Sequence, residues 1–114
     1  MVTILVNDVY ANYKTFYNKH SIVNVNCNFT KWENCSMYEA FYTCSNLERV
    51  TNMNEYVTNM RGAFSNCRNL LNVPSIPNSV TDIGYAFYNC KNLREPPSIP
   101  NSVTSISSSS FILC

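Results

Sequence analysis

The sequence predicts an α/β solenoid, a short right-handed stack of coils with a 23-residue period, and three observations carry that prediction. First, Ala63-Phe64-Ser65-Asn66-Cys67-Arg68-Asn69-Leu70 returns 23 residues later as Ala86-Phe87-Tyr88-Asn89-Cys90-Lys91-Asn92-Leu93. It also stands 23 residues earlier as Ala40-Phe41-Tyr42-Thr43-Cys44-Ser45-Asn46-Leu47. A fixed period of about 20–50 residues is the mark of stacked supersecondary units. Second, a further block keeps the same register, with Val73-Pro74-Ser75-Ile76-Pro77-Asn78-Ser79-Val80-Thr81-Asp82-Ile83 answered by Ser98-Ile99-Pro100-Asn101-Ser102-Val103-Thr104-Ser105-Ile106. Third, each coil offers only a few apolar side chains, worth about 1.5–3 kcal/mol apiece when buried. No coil folds without its neighbours.

Taken in order, residues 1–15 stand outside the clean repeat and read as an N-terminal cap strand, since Val2, Ile4 and Val6 alternate with Thr3, Leu5 and Asn7. Residues 16–40 read as a degenerate first coil, with Phe16 and Ile22 in the apolar positions and two extra residues looped out around Cys27 to Asn34. Regular coils follow at 41–63, 64–86 and 87–110, and Phe111 begins a fifth. Within a coil three sides are predicted. Ala-Phe-x-x-Cys-x-x-Leu spaces apolar groups by three, which fits tight helical turns with one face inward. An extended segment such as Leu70-Leu71-Asn72-Val73 comes next, and Pro74, Pro77, Pro97 and Pro100 forbid long ladders there. The third side, Ser79 to Ile83, carries β-favouring residues. Phe16, Phe41, Phe64, Phe87 and Phe111 are predicted to form one buried column, and Leu47, Leu70 and Leu93 another.

These motifs, Ala-Phe-x-x-Cys-x-x-Leu joined to Ile-Pro-Asn-Ser-Val-Thr-x-Ile, resemble the BspA-like, or Treponema-type, leucine-rich repeats of bacterial surface proteins. They also look like related repeats of mycoplasma and phage proteins, which carry the equivalent of Val57-Thr58-Asn59-Met60 before the Phe. Residues 40–106 match closely, 16–39 loosely and 1–15 not at all. The resemblance implies a recognition scaffold and brings no catalytic residues with it.

Composition narrows the function classes. Eight basic and seven acidic residues leave a net charge of +1, so no global field points to nucleic acid or an anionic membrane. Asn, at 18 positions, is read as taking the turn sites that two glycines cannot fill. No apolar run approaches the roughly 18 residues of a membrane span. The first residues lack a basic, then apolar, leader, so a cytoplasmic setting is predicted, with the cell surface or a virion as the alternative for a fragment.

Candidate chemistry is sparse. Cys44, Cys67, Cys90 and Cys114 recur once per coil and read as a column of small buried side chains with parallel Cβ vectors, unsuited to the converging ligands of a zinc site. Cys27 and Cys35 lie off that column and are free to pair or to stay reduced. His20 falls where Ser45, Arg68 and Lys91 fall, in a solvent-facing position. The acidic residues Asp8, Glu33, Glu39, Glu48, Glu55, Asp82 and Glu95 never recur as a pair, and two glycines make no phosphate loop. Neither enzyme, metal site nor cofactor is predicted.

The variable positions are more telling, because solenoids bind partners through extended faces. Arg49, Arg68, Lys91 and Arg94, with Tyr42, Tyr88, Leu71 and Asn72, form the predicted partner-binding set, and a protein partner is expected. Phe111, Ile112, Leu113 and Cys114 form a predicted oligomer interface, the open end of the stack joining a second copy. The first functional reading is a small phage or mobile-element protein that binds and inhibits a host defence protein. The alternative is a structural or adhesive repeat of a bacterial surface or virion protein.

Overall fold

The computed structural model describes residues 2–5, 10–27, 31–53, 55–106 and 110. Along the Phe-bearing side, amides bond alternately in two directions. The N–H groups of Met37, Glu39, Phe41 and Thr43 donate to the carbonyls of Asn59, Arg61, Ala63 and Ser65 in the next coil, at 2.8–3.0 Å. Those of Ala40, Tyr42 and Cys44 turn back to Met37, Glu39 and Phe41 at 3.0–3.1 Å. The next coil repeats the scheme, with Met60, Gly62, Phe64 and Asn66 donating to Asp82, Gly84, Ala86 and Tyr88, each at 2.8 Å.

An α-helix keeps all these bonds within one segment, so this side is a run of tight turns, and no α-helix occurs among the described residues. That corrects the α part of the expected α/β class. A spacing of three suits successive turns as well as helical ones. Left-handed residues then interrupt any helix at two places per coil: Glu39 and Thr43 (φ 49° and 58°), Gly62 and Asn66 (65° and 62°), Tyr85 and Asn89 (57° and 60°). Asn accepts this conformation more readily than most residues, which is why Asn18, Asn66 and Asn89 stand two places after their Phe. Each run opens on a side-chain turn, the N–H two residues on donating to Ser36 Oγ (3.1 Å), Asn59 Oδ1 (2.8 Å) or Asp82 Oδ1 (2.8 Å).

The second side begins as a parallel sheet in which β1 (Val2–Leu5), β3 (Ile22–Cys27) and β5 (Arg49–Met53) lie in that order. It fades to one bridge, Arg49 to Asn72. Beyond it the Arg94 N–H still donates to the Leu71 carbonyl at 3.2 Å. The fading coincides with Pro74, Pro77, Pro97 and Pro100, which have no N–H to extend a ladder. A second parallel pair joins β2 (Tyr10–Ala11) to β4 (Lys31–Trp32), ahead of a 3-10 turn at Glu33–Cys35. The N-terminal segment therefore carries two short strands on two different sheets. The third side is held by the parallel bridges Ser36–Asn59, Asn59–Asp82 and Asp82–Ser105. There Thr58, Thr81 and Thr104 donate their N–H groups to the carbonyls of Cys35, Thr58 and Thr81, at 2.8–2.9 Å, and their hydroxyls to the same oxygens.

The core between the sides is columnar. Phe16, Phe41, Phe64 and Phe87 stack at 5.2, 5.4 and 5.6 Å between centroids, with ring planes within 16° of parallel. Trp32 packs its edge against the first two. Each column cysteine does more than fill space: Cys44, Cys67 and Cys90 donate their thiols to the carbonyls of Phe16, Phe41 and Phe64 at 2.9–3.1 Å. Cys35 is an exposed free thiol, Cys44 and Cys67 are buried free thiols, and Cys27 and Cys90 are buried as well. This parallel, solenoid-like repeat stack is what positions the surface described next.

Candidate functional site: a tyrosine-lined cleft

The turn side carries a cleft of about 280 Å³, lined by Tyr38, Glu39, Tyr42, Arg61, Tyr85 and Tyr88 around a floor of Gly62, Ser65 and Asn66. It exists because one coil is small where its neighbours are large. Two residues before the Phe stand Glu39, Gly62 and Tyr85; one residue after it stand Tyr42, Ser65 and Tyr88. Glu39 and Tyr85 hold their side chains at positive φ, a conformation that costs a residue other than Gly about 1–3 kcal/mol. Only the middle coil uses glycine there, and a Cβ on Gly62 would press within 3.1 Å of Glu39 Cγ.

Arg61 forms part of the wall. Its guanidinium carbon lies 5.1 Å from the Tyr85 ring centroid, a cation–π contact. To reach it the side chain crosses Gly84, where a Cβ would collide with Nη1. Tyr85 and Tyr88 pack tilted, 6.1 Å apart. On the opposite wall a hydrogen bond to Glu39, and then that carboxylate's charge, raise the Tyr38 hydroxyl's pKa above its ordinary range. Tyr17 continues that wall, stacked on Tyr42 at 5.1 Å; loss of hydration, then the charge of Glu39, raises its hydroxyl. Two of the floor's polar atoms are engaged within the stack. Ser65 Oγ donates to the Tyr85 carbonyl at 2.7 Å, and Asn66 Oδ1 accepts from Asn89 Nδ2 at 2.9 Å.

Of the predicted partner-binding residues, Tyr42 and Tyr88 line this cleft. The other six lie outside it. Arg49 and Asn72 are exposed and bridge-paired on the second side, and Leu71 is half-buried between Glu48 and Arg94 in the same ladder. Arg68 and Lys91 are exposed at the coil position where His20 Nδ1 meets Ser45 Oγ at 2.8 Å. Phe111, Ile112, Leu113 and Cys114 lie outside the described residues.

Sequence reasoning missed Tyr38, Glu39, Arg61 and Tyr85, all before the Phe, because it looked for variation only after it. The available signal was the paired contrast of Gly62 and Ser65 with their bulky equivalents. Among the described residues no three His, Cys, Asp or Glu side chains cluster as metal ligands, and no helix is long and apolar enough to cross a membrane. Comparison with known families matches residues 10–114 to the BspA type leucine rich repeat region, in six copies. No curated protein and no solved structure shows a significant match.

Proposed function

Starting from the fact that the chain belongs to the BspA-type leucine-rich-repeat family, we propose that it is a non-catalytic recognition module whose protein partner seats on the tyrosine-lined cleft. Repeats of this family suggest protein interaction or adhesion, and the family is typically non-catalytic. The observation that carries the reading is the cleft itself: four tyrosines and an arginine converge on one concavity, and Tyr and Arg are the residue types that anchor protein interfaces. Arg49, Arg68, Asn72, Lys91 and Arg94 then form a polar surround, with Leu71 among them, on neighbouring sides of the same coils.

The finer proposal is that the stack is a right-handed solenoid acting in the cytoplasm, where a phage or mobile-element product would hold and inhibit a host defence protein. Free thiols at Cys35, Cys44 and Cys67 fit a reducing compartment. The adhesive alternative places the same cleft on a cell or virion surface. Self-association through the C-terminal side is a further part of the proposal. Ile99 and Ile106 are 38% and 56% exposed where their equivalents Ile76 and Ile83 are 4% and 0%, and light scattering giving twice the monomer mass is the result that supports it.

The main test places a photo-crosslinking amino acid at position 42 or 88, with positions 56 and 78 as exposed controls, in cells that make the protein. One discrete protein adduct from 42 and 88, absent from the controls, is the expected result. Equal adducts from every position, or none, would overturn the reading. An intracellular adduct favours the inhibitory setting, and one on the outer surface of intact cells favours the adhesive one.

A further inference from the structure

Read along the stack, the residue after each column Phe is Tyr17, Tyr42, Ser65 and Tyr88. In the last three coils the local backbone is the same: Tyr42, Ser65 and Tyr88 donate their N–H groups to Glu39, Gly62 and Tyr85 at 3.1, 3.2 and 3.2 Å. Their Cβ atoms therefore leave the stack in a common direction. Tyr17 and Tyr42 show what the position does when filled twice running, their rings lying 5.1 Å apart and 11° from parallel. At the next rung the ring is missing. Ser65 replaces it with a hydroxymethyl group turned into the backbone, and Gly62 leaves out a side chain that would press on Glu39 beside it.

We propose that this skipped rung is a binding slot for one aromatic side chain of the protein partner. A guest ring there has Tyr42 on one face and Tyr88 on the other, each one coil away, and the adjacent coil spacings are 5.4 and 5.6 Å in the Phe column. Those are the separations at which the protein's own rings stack, within the range that aromatic pairs favour. Arg61, held along the wall by Tyr85 and by the absence of a side chain on Gly84, supplies N–H donors at the rim for the guest's backbone carbonyl. A sugar ring would also stack on tyrosine, but it needs polar partners beneath its hydroxyls. The floor has spent Ser65 Oγ and Asn66 Oδ1 on internal bonds. The chemistry of the floor favours a flat apolar ring.

This inference rests on the recognition reading above and narrows it to one contact. The test is NMR titration of the full chain with N-acetyl-phenylalaninamide, N-acetyl-leucinamide and methyl β-glucopyranoside. The phenylalanine probe is expected to move the amide signals of Gly62, Ser65 and Asn66 by ring current, and to bind at least ten-fold more tightly than the leucine probe. Ser65→Tyr, the residue its repeat equivalents already carry, is expected to fold, restore the ladder and reduce binding at least ten-fold, while Ser65→Ala leaves it intact. Tyr88→Ser, which opens one face, is expected to weaken binding at least three-fold and keeps the test available if Ser65→Tyr does not fold. Equal affinity for the leucine probe, preference for the glucoside, or a folded Ser65→Tyr chain that binds as the parent does would overturn the proposal. Crosslinks persisting at 42 and 88 without probe binding would sink the slot alone. Probe binding without any crosslink would sink the recognition reading instead.

Discussion

Phe64→Ala is the sharpest test of the columnar core. The side chain is fully buried and stacks on Phe41 at 5.4 Å and Phe87 at 5.6 Å, so its removal empties the middle of the column. Burying and then deleting a Phe in a core costs about 3–5 kcal/mol, depending on how far the site collapses. Collapse is resisted here. The Phe64 N–H is tied to Ala86, its carbonyl accepts the Cys90 thiol, and its neighbour Phe41 accepts the Cys67 thiol. The upper part of that range, about 4–5 kcal/mol, is therefore expected. A domain of this size is stable by about 5–15 kcal/mol, so the variant is left marginal.

The assay is urea unfolding followed by Trp32 fluorescence and far-ultraviolet circular dichroism. With a slope of about 2 kcal/mol per molar urea, the midpoint is expected to fall by about 2 M. Phe16→Ala, at a site 7% exposed, is expected to cost less. A Phe64→Ala midpoint within about 0.5 M of the parent at unchanged slope, or a smaller loss than Phe16→Ala, would refute the picture of a rigid stack.

Three further outcomes follow from the same structure. Burial raises the Cys44 thiol from its ordinary 9.0 to about 11, and burial first, then the neighbouring Cys44, raises the Cys67 thiol well above its ordinary range. The neutral thiol is favoured in the folded chain, so Cys44's contribution is complete below pH 9, and about 2–3 kcal/mol of it is lost as pH rises towards 11. Urea melts across that window are expected to decline less steeply in Cys44→Ala. With Cys114 replaced by Ser, a disulfide-exchange reagent is expected to label Cys35 at once and the buried Cys27, Cys44, Cys67 and Cys90 only on unfolding; fast labelling of two or more thiols would contradict the fold. Thr43, a β-branched residue at φ 58° where the next coils carry Asn66 and Asn89, is strained, and Thr43→Asn is expected to raise stability by about 0.5–1 kcal/mol in the same melts.

Much of the stack was legible in residue spacing. The 23-residue register places Phe41, Phe64 and Phe87 in one column, and the prolines after Leu70 and Leu93 sit where the parallel sheet dwindles to a bridge. Five of the 18 asparagines stand at left-handed positions, 18, 34, 52, 66 and 89, where glycine would otherwise be used. Three things were not legible. Apolar residues three apart are shared by helices and consecutive turns, and the choice was made by where the amide protons point, a relation between coils that spacing inside one coil does not contain. The cysteine column read as buried, yet its thiol bonds to the preceding coil depend on the same inter-coil geometry. The cleft was hidden for a related reason. It arises from a difference between repeats, at Gly62 and Ser65, that opens a space only once the coils are stacked.

The backbone bonds that join coils, 2.8 Å along most of the turn side, bear on selectivity as well as stability. Because they set the rise of the stack, the spacing between the backbones that carry the cleft's two walls is a whole number of coils. The chain works as a ruler for ligand thickness. One small coil between two bulky ones gauges a single flat ring, two in succession would gauge a body twice as thick, and none would admit nothing. Duplicating or deleting one 23-residue unit at this point would change the admitted partner in a step, with the remaining coils carrying on unaltered.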